Sequence, residues 1–393
     1  MPATSALPVT LVCQAISASP NRFLRLPRSD AAEPPAIASH PCRHAYSHSI
    51  ILLLQGLMTW GEEGTSGARV TDLKDCEKML NIFLKHGHNE VDTAYMYTNQ
   101  TSEQYLGKID YKKLGVVVDT KLYPNKAAGI THSAADLRKY INIQLKALNS
   151  TCIDMWYLHA PDRSTPFEET FKAVDELYKE GLFKRFGISN YQSWEVAHIV
   201  GLCEKNGWIK PTAYQGLYNA VHRNVEAELF PCLRALGLSF YEFNPLGGGF
   251  FTGQYSKDAP VEAGSRFDDA KQQGQNYRSR YWKVCTFSRL SHRNWAELSL
   301  PFPQDEYFQA LEIVKPVAEA HSLTLAEVAL RWVSHHSLMK REFGDNVLIG
   351  ASSNAHLEQN LIDLEKGPLP EDVVKVLDQA WEHVRPVATK YWH

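Results

Sequence analysis

No apolar run in this chain of 393 residues exceeds the five residues 50–54, far short of the ~20 needed to cross a bilayer as a helix, so no membrane span is expected. The seven cysteines are odd in number and include no C-x-x-C pair, which favours reduced thiols over a disulfide framework. A net charge of −3, with no basic stripe interleaved with aromatics, argues against a nucleic-acid partner. No G-x-G-x-x-G opens a strand–helix unit and no G-K-[ST] occurs, which removes the two commonest nucleotide-binding fingerprints. Histidine pairs at His86/His88 and His335/His336 have no third ligand at a suitable spacing, so no metal is expected.

What is present describes a globular protein, 44% hydrophobic and 22% charged. The first 48 residues differ in composition. They are rich in Ala, Ser and Pro, carry Arg22, Arg25 and Arg28, and contain no acid before Asp30. A mitochondrial transit peptide and a disordered tail both fit. Recurrent prolines from Pro2 to Pro35 would break an amphipathic helix and favour the tail, with a cytoplasmic protein behind it. Residues 49–393 are expected to form one domain.

From residue 50 onward, strand-like and helix-like patterns alternate. Eight segments rich in Val, Ile, Tyr and Phe suit strands covered on both faces: 50–54, 89–92, 115–120, 153–158, 185–188, 212–215, 238–243 and 346–349. Between them, stretches such as 71–86, 133–148, 166–180 and 193–206 have helical periodicity, with Gly181 and Gly207 as stops. Eight βα units in one domain predict a closed (β/α)₈ barrel of the TIM type, which typically takes about 250 residues. A long connection, 250–303, should follow the seventh strand, and residues 368–393 should form a tail.

Four strand ends carry polar groups. Asp92 and Tyr97 lie in EVDTAYMY, Lys121 in VVVDTK, His159 in MWYLHAPD, and Ser189 and Asn190 in FGISNYQ. In a β/α barrel all of these gather at the C-terminal rim, around one pocket. Tyr97 could protonate a carbonyl oxygen, but a phenol has a pKa of about 10, and reaching 7 to 8 needs ~3 to 4 kcal/mol of differential stabilisation. A lysine ammonium within ~4 to 6 Å can supply much of that, so Lys121, held and kept charged by Asp92, is expected to tune Tyr97. Taken singly, Asp92 reads as a helix cap and Lys121 as a loop lysine; their joint placement on adjacent strands reverses that. His159 could orient the carbonyl oxygen. Gly247, Gly248, Gly249 and Gly253 could cradle a pyrophosphate or simply form a flexible loop. Ser352 and Ser353 precede a helix, a good place for a phosphate.

Several stretches carry a family resemblance: DTAYMY, DTKLYP, WYLHAPDRSTPFEET, GISNYQSWEV, PTAYQGLYNA, ELFPCLR, NPLGGGFFTG, RYW and GASSNAHLEQNL. Together they resemble the aldo-keto reductases, specifically the aflatoxin-aldehyde-reductase group, from about Gly56 to Trp392. The resemblance implies an NADPH-dependent reductase of aldehydes or ketones, without a Rossmann domain. It implies Tyr97 as general acid, Asp92 and Lys121 as its tuning pair, and His159 as the carbonyl-orienting residue. Ser189, Asn190 and Gln215 would hold the carboxamide and Phe243 would stack on the nicotinamide. Asn244, Pro245, Leu246 and the glycines Gly247, Gly248, Gly249 and Gly253 would wrap the pyrophosphate. Ser352, Gln359 and Asn360 would hold the adenosine end, with Arg266 on the 2′-phosphate. Met58, Tyr277 and Arg280 would line the substrate pocket, and a homodimer is compatible.

The sequence departs from the family pattern in three places. It ends Tyr391–Trp392–His393 where an arginine able to bind a carboxylate is usual, has Gln254 where a lysine is usual after T-G, and has an unusually apolar first strand. The first departure points away from carboxylate-bearing substrates. The alternative within the resemblance is a cofactor-binding regulatory subunit like the potassium-channel β subunits; retention of all four catalytic-type residues favours the enzyme.

Overall fold

A computed structural model describes residues 51–256, 260–262, 264–282 and 305–393. The N-terminal extension expected over 1–48, and with it any hairpin before the barrel, lies outside the described residues.

Eight parallel strands close into a barrel in sequence order. They are β1 (Leu52–Gly56), β2 (Glu90–Asp92), β3 (Val117–Leu122), β4 (Ile153–Leu158), β5 (Phe183–Ser189), β6 (Ala213–Leu217), β7 (Ser239–Phe243) and β8 (Asn346–Gly350). Closure is made by β1 on β8, with Leu52 opposite Asn346 and Gly56 opposite Gly350. The first strand therefore runs two residues beyond the apolar run that predicted it, because Gln55 and Gly56 still find partners on both neighbours. The third likewise extends to Leu122, so Lys121 lies within the strand and not on the loop after it.

The helices are α1 (Leu73–Lys85), α2 (Ser102–Gly107), α3 (Ala134–Ala147), α4 (Phe167–Lys179), α5 (Ser193–Asn206), α6 (Leu229–Leu236), α7 (Gln272–Tyr281), α8 (Glu306–Ala320), α9 (Leu325–His335), α10 (Asn354–Glu365) and α11 (Glu371–Val384). Their starts follow the local chemistry. Asp72, Ser133, Thr324 and Ser353 cap α1, α3, α9 and α10 through their side-chain oxygens. Gly207 and Gly237 end α5 and α6 in the left-handed conformation. The described part of the long connection after β7 contains α7, α8 follows that connection, and the tail contains α11, which packs on α8. None of the described helices is long and apolar enough to cross a membrane.

Strand alternation divides the core in two. Outward residues such as Trp156, Leu158 and Phe186 pack against the helices in one large layer. Inward residues Leu54, Met155, Tyr157, Ala213, Tyr241 and Leu348 fill the barrel, with Phe243 against them. Gly187 makes room for this filling: a Cβ there would lie 2.3 Å from the Tyr157 ring. The barrel is thus filled in its interior, and the candidate residues lie at its C-terminal end.

Candidate active site

The register sets the site. Asp92 pairs with Asp119 across β2 and β3, and Lys121 pairs with Tyr157 across β3 and β4. Because side chains alternate, Asp92 and Lys121 then point into the barrel on neighbouring strands. Both are buried, and Lys121 Nζ donates to Asp92 Oδ2 at 2.5 Å and to the Thr93 carbonyl at 2.7 Å. The other oxygen, Asp92 Oδ1, accepts from Gln215 Nε2 at 2.9 Å. Each carboxylate oxygen therefore has a donor, and Lys121 Nζ is held from two sides.

Tyr97 reaches this pair from the turn after β2. Three consecutive left-handed residues, Thr98, Asn99 and Gln100, reverse the chain there, and Thr98 Oγ1 donates to the Trp60 carbonyl at 2.7 Å. The ammonium of Lys121 lies 5.1 Å from the Tyr97 ring centroid. His159 meets the same ring edge-on, at 5.9 Å and 80°, and the His159 ring also meets that of Tyr123 edge-on, at 5.5 Å and 85°. All four expected catalytic residues converge.

The electrostatics differ from the expectation in one respect. Burial pushes the Tyr97 phenol well above 10, the Asp92 charge and Tyr277 push the same way, and Arg266 opposes them. Burial outweighs any lowering by the Lys121 ammonium, which is itself held by Asp92 and the Thr93 carbonyl. A phenol so placed stays protonated throughout the neutral range. Burial lowers Lys121, against the pull of Asp92. Burial and the charge of Lys121 hold His159 well below 6.5, so the imidazole is neutral. Its Nδ1 is buried and has no hydrogen-bond partner among the described residues.

Around this centre the other expected residues fall into two groups. Ser189, Asn190 and Gln215 are buried at the ends of β5 and β6. Asn190 is left-handed, with φ of 65°, and its amide donates to the His159 carbonyl at 2.8 Å and to Ser189 Oγ at 3.0 Å. Phe243 is half-buried over the barrel filling. Asn244 is left-handed as well, and its buried Nδ2 has no partner among the described residues. Pro245 and Leu246 lead into a tight turn, Gly247–Thr252, in which Gly247, Gly248 and Gly249 all have positive φ, as does Gly253. Within the turn, Gly247 N–H donates to the Asn244 carbonyl, Gly249 and Phe251 N–H to the Leu246 carbonyl, and Gly253 N–H to the Phe250 carbonyl.

The second group comes from the connection after β7 and from the end of β8. The guanidinium of Arg266, the residue expected at a 2′-phosphate, donates to Tyr277 Oη at 3.2 Å and to Met58 Sδ at 3.3 Å. Arg280 stacks on Tyr277 at 5.7 Å. Burial would raise the Tyr277 phenol, yet Arg266 and Arg280 outweigh it and leave it below 10. At the end of β8, Ser352 Oγ bonds His356 Nδ1 at 3.0 Å and Gln359 donates to Asp363 at 3.0 Å. Asn360 is buried on α10.

Sequence reading missed two features. Residues 389–393 are pinned along the rim: Asn224 donates to the Thr389 carbonyl at 2.8 Å, Arg163 to the His393 carbonyl at 2.7 Å, and His393 N–H to the Asn190 carbonyl at 3.2 Å. Behind Lys121, Glu103 is buried against Thr120 and Gln144. A signal for the latter was available, since Gln144 falls on the stripe of Leu137, Ile141 and Leu148 that faces the core.

Comparison with known proteins agrees with this fold. The Aldo/keto reductase family model matches residues 52–382. The chain is 43% identical over 337 residues to the aldo-keto reductase pigE of Monascus ruber, covering 83% of this chain and 92% of that one. It is 40% identical over 335 residues to aldo-keto reductase family 7 member A3 of Homo sapiens, covering 82% and 94%. It is also 40% identical over 325 residues to aflatoxin B1 aldehyde reductase member 2 of Mus musculus, covering 80% and 82%. A glycerol dehydrogenase structure from Gluconobacter oxydans shares the fold, with a TM-score of 0.62 at 18% identity over 86% of this chain and 93% of that one.

Proposed function

This chain belongs to the aldo/keto reductase family, and from that premise we propose that it reduces an aldehyde or ketone to the alcohol with NADPH, Tyr97 acting as general acid. The observation that carries the reading is the meeting of Tyr97, Lys121–Asp92 and His159 at one rim of the barrel. The residues fit a dinucleotide. Asn244 Nδ2 is buried without a partner among the described residues, beside the glycine turn.

When bound, NADPH would supply the hydride. The neutral His159 orients the carbonyl oxygen toward Tyr97, its ring edge-on to those of Tyr97 and Tyr123. Tyr97 then gives its proton to that oxygen. An alkoxide is a far stronger base than a phenolate, so even a phenol raised by burial can protonate it, and Lys121 stabilises the phenolate left behind. Met58, Tyr277, Arg266 and Arg280 would face the rest of the substrate. The names of the relatives favour an aldehyde as the substrate class.

Tyr97→Phe keeps the ring and removes the proton. General acid catalysis typically contributes about 10² to 10⁴-fold, so kcat should fall by that order while NADPH affinity, read by fluorescence quenching, stays unchanged. Near-normal turnover in a folded Tyr97→Phe protein would overturn the mechanism. The same titration with NADH tests the cofactor: equal or tighter NADH binding would remove the phosphate preference.

A further inference from the structure

On the outer face of β3, behind the reacting groups, lies a buried polar cluster with no part in the chemistry above. Glu103, on α2, is 1% exposed. Its Oε1 accepts from Thr120 Oγ1 at 2.5 Å and from Gln144 Nε2 at 2.7 Å. Gln144, fully buried on α3, also donates to the Lys121 carbonyl at 3.1 Å, and its Oε1 accepts the Trp156 indole N–H at 2.9 Å. That same Lys121 carbonyl accepts the Tyr95 N–H at 3.0 Å. One main-chain oxygen thus joins the strand bearing Lys121 to the turn that delivers Tyr97. Apolar side chains could fill this dry space without the risk of an unsatisfied charge.

We propose that Glu103 is a positioning residue for proton transfer: through Thr120 and Gln144 it fixes the main chain of Lys121 and Tyr95, and its negative charge, when present, supports the Lys121 ammonium behind Tyr97. The proposal rests on the reading of Tyr97 and Lys121 as the proton-donating pair. The charge is switchable in the neutral range. Burial pushes the Glu103 carboxyl up to about 7, against its hydrogen bonds from Thr120 and Gln144 and the charge of Lys121. The groups facing it are Lys121 from β3 and the Tyr95 phenol from the turn after β2. Helix α3 and strand β4 contribute the neutral Gln144 and Trp156 side chains. Lys121 responds in kind, since Glu103 is among the charges that raise it.

The test is the pH dependence of kcat for carbonyl reduction at saturating NADPH, between about pH 6 and 8, in wild type, Glu103→Gln and Thr120→Val. A unit charge at this range should produce a step of ~three- to tenfold in the wild type. Glu103→Gln should abolish the step. Thr120→Val, close to isosteric, removes a bond that stabilises the carboxylate and should move the step to higher pH. In parallel, the ¹⁵Nζ signal of Lys121 in lysine-labelled protein should titrate in the same window in the wild type and shift in Thr120→Val. That signal does not depend on turnover, so a wild type that reduces no carbonyl would defeat the proposed function while the Lys121 titration still decides this inference. Identical Lys121 titrations in wild type and Thr120→Val would overturn it, even if Glu103→Gln proved insoluble.

Discussion

The Asp92–Lys121 pair has the energetics of a buried ion pair, with its partners already in place. Each Asp92 oxygen has a donor, and Lys121 Nζ has a second acceptor in the Thr93 carbonyl. Removing one member strands the other. Lys121→Met should therefore destabilise the fold by about 3–5 kcal/mol in urea denaturation, and adding Asp92→Asn should recover part of the loss. A double variant as unstable as the sum of two singles would contradict this. Deeper in the barrel, Asp119 lies 3.6 Å from Arg185, which is itself paired with Glu90 at 2.5 Å. Burial, and next the Glu90 charge, raise Asp119 well above the ordinary carboxylate value of 3.8. The folded chain keeps that proton after the unfolded chain has released it, so stability is lost as pH rises above about 4. Asp119→Asn should flatten that decline in thermal unfolding followed from acid to neutral pH; an unchanged slope would show the proton resides elsewhere.

At the scale of elements, the rim is built from turns whose backbone is unusual. The glycine turn after β7 is the clearest case. Gly248 has φ of 71°, and a Cβ there would sit 2.3 Å from the Tyr277 ring. Gly248→Ala meets both a left-handed backbone penalty and a ring that must move. NADPH should bind at least about tenfold more weakly, by a cost of ~1.4 kcal/mol or more, and the substrate KM should rise with it. The pinned segment 389–393 is the second case. Burial lowers the His393 imidazole below 6.5, and the charges of Arg280 and Arg163 lower it further, so it is neutral at pH 7. A carboxylate on the substrate would then find its positive charge on Arg280. His393→Arg should lower KM for a carboxylated aldehyde and leave neutral aldehydes unaffected. An unchanged KM for the carboxylated substrate would remove His393 from the specificity argument.

For the whole molecule, closure of β1 on β8 decides what is dispensable. The strand that begins the described domain already has partners on both sides, and the barrel closes without further strands. Deleting residues 1–45 should yield soluble protein with carbonyl-reducing activity close to that of the full chain. An unfolded or inactive truncation product would assign the extension a structural part.

The order of strands, the barrel and the arrival of the four candidate residues at one rim were legible in the sequence, because each depends on local information. Apolar runs of four to six residues separated by helical periodicity specify βα units, and a polar residue at the end of such a run must emerge at the C-terminal rim. Other properties required the closed structure. That Arg266 reaches Tyr277 and Met58 follows from how the connection after β7 folds back. That Tyr97 stays high, with Lys121 committed to Asp92, follows from burial that no spacing encodes. Glu103 on α2, Gln144 on α3 and Thr120 on β3 are up to 41 residues apart in sequence, yet share one hydrogen-bonded cluster. The sequence by itself determined which groups arrive at each face of the barrel wall. Contacts between elements decided which of them touch and what charge they carry, because desolvation and hydrogen bonding depend on neighbours brought together only when the barrel closes.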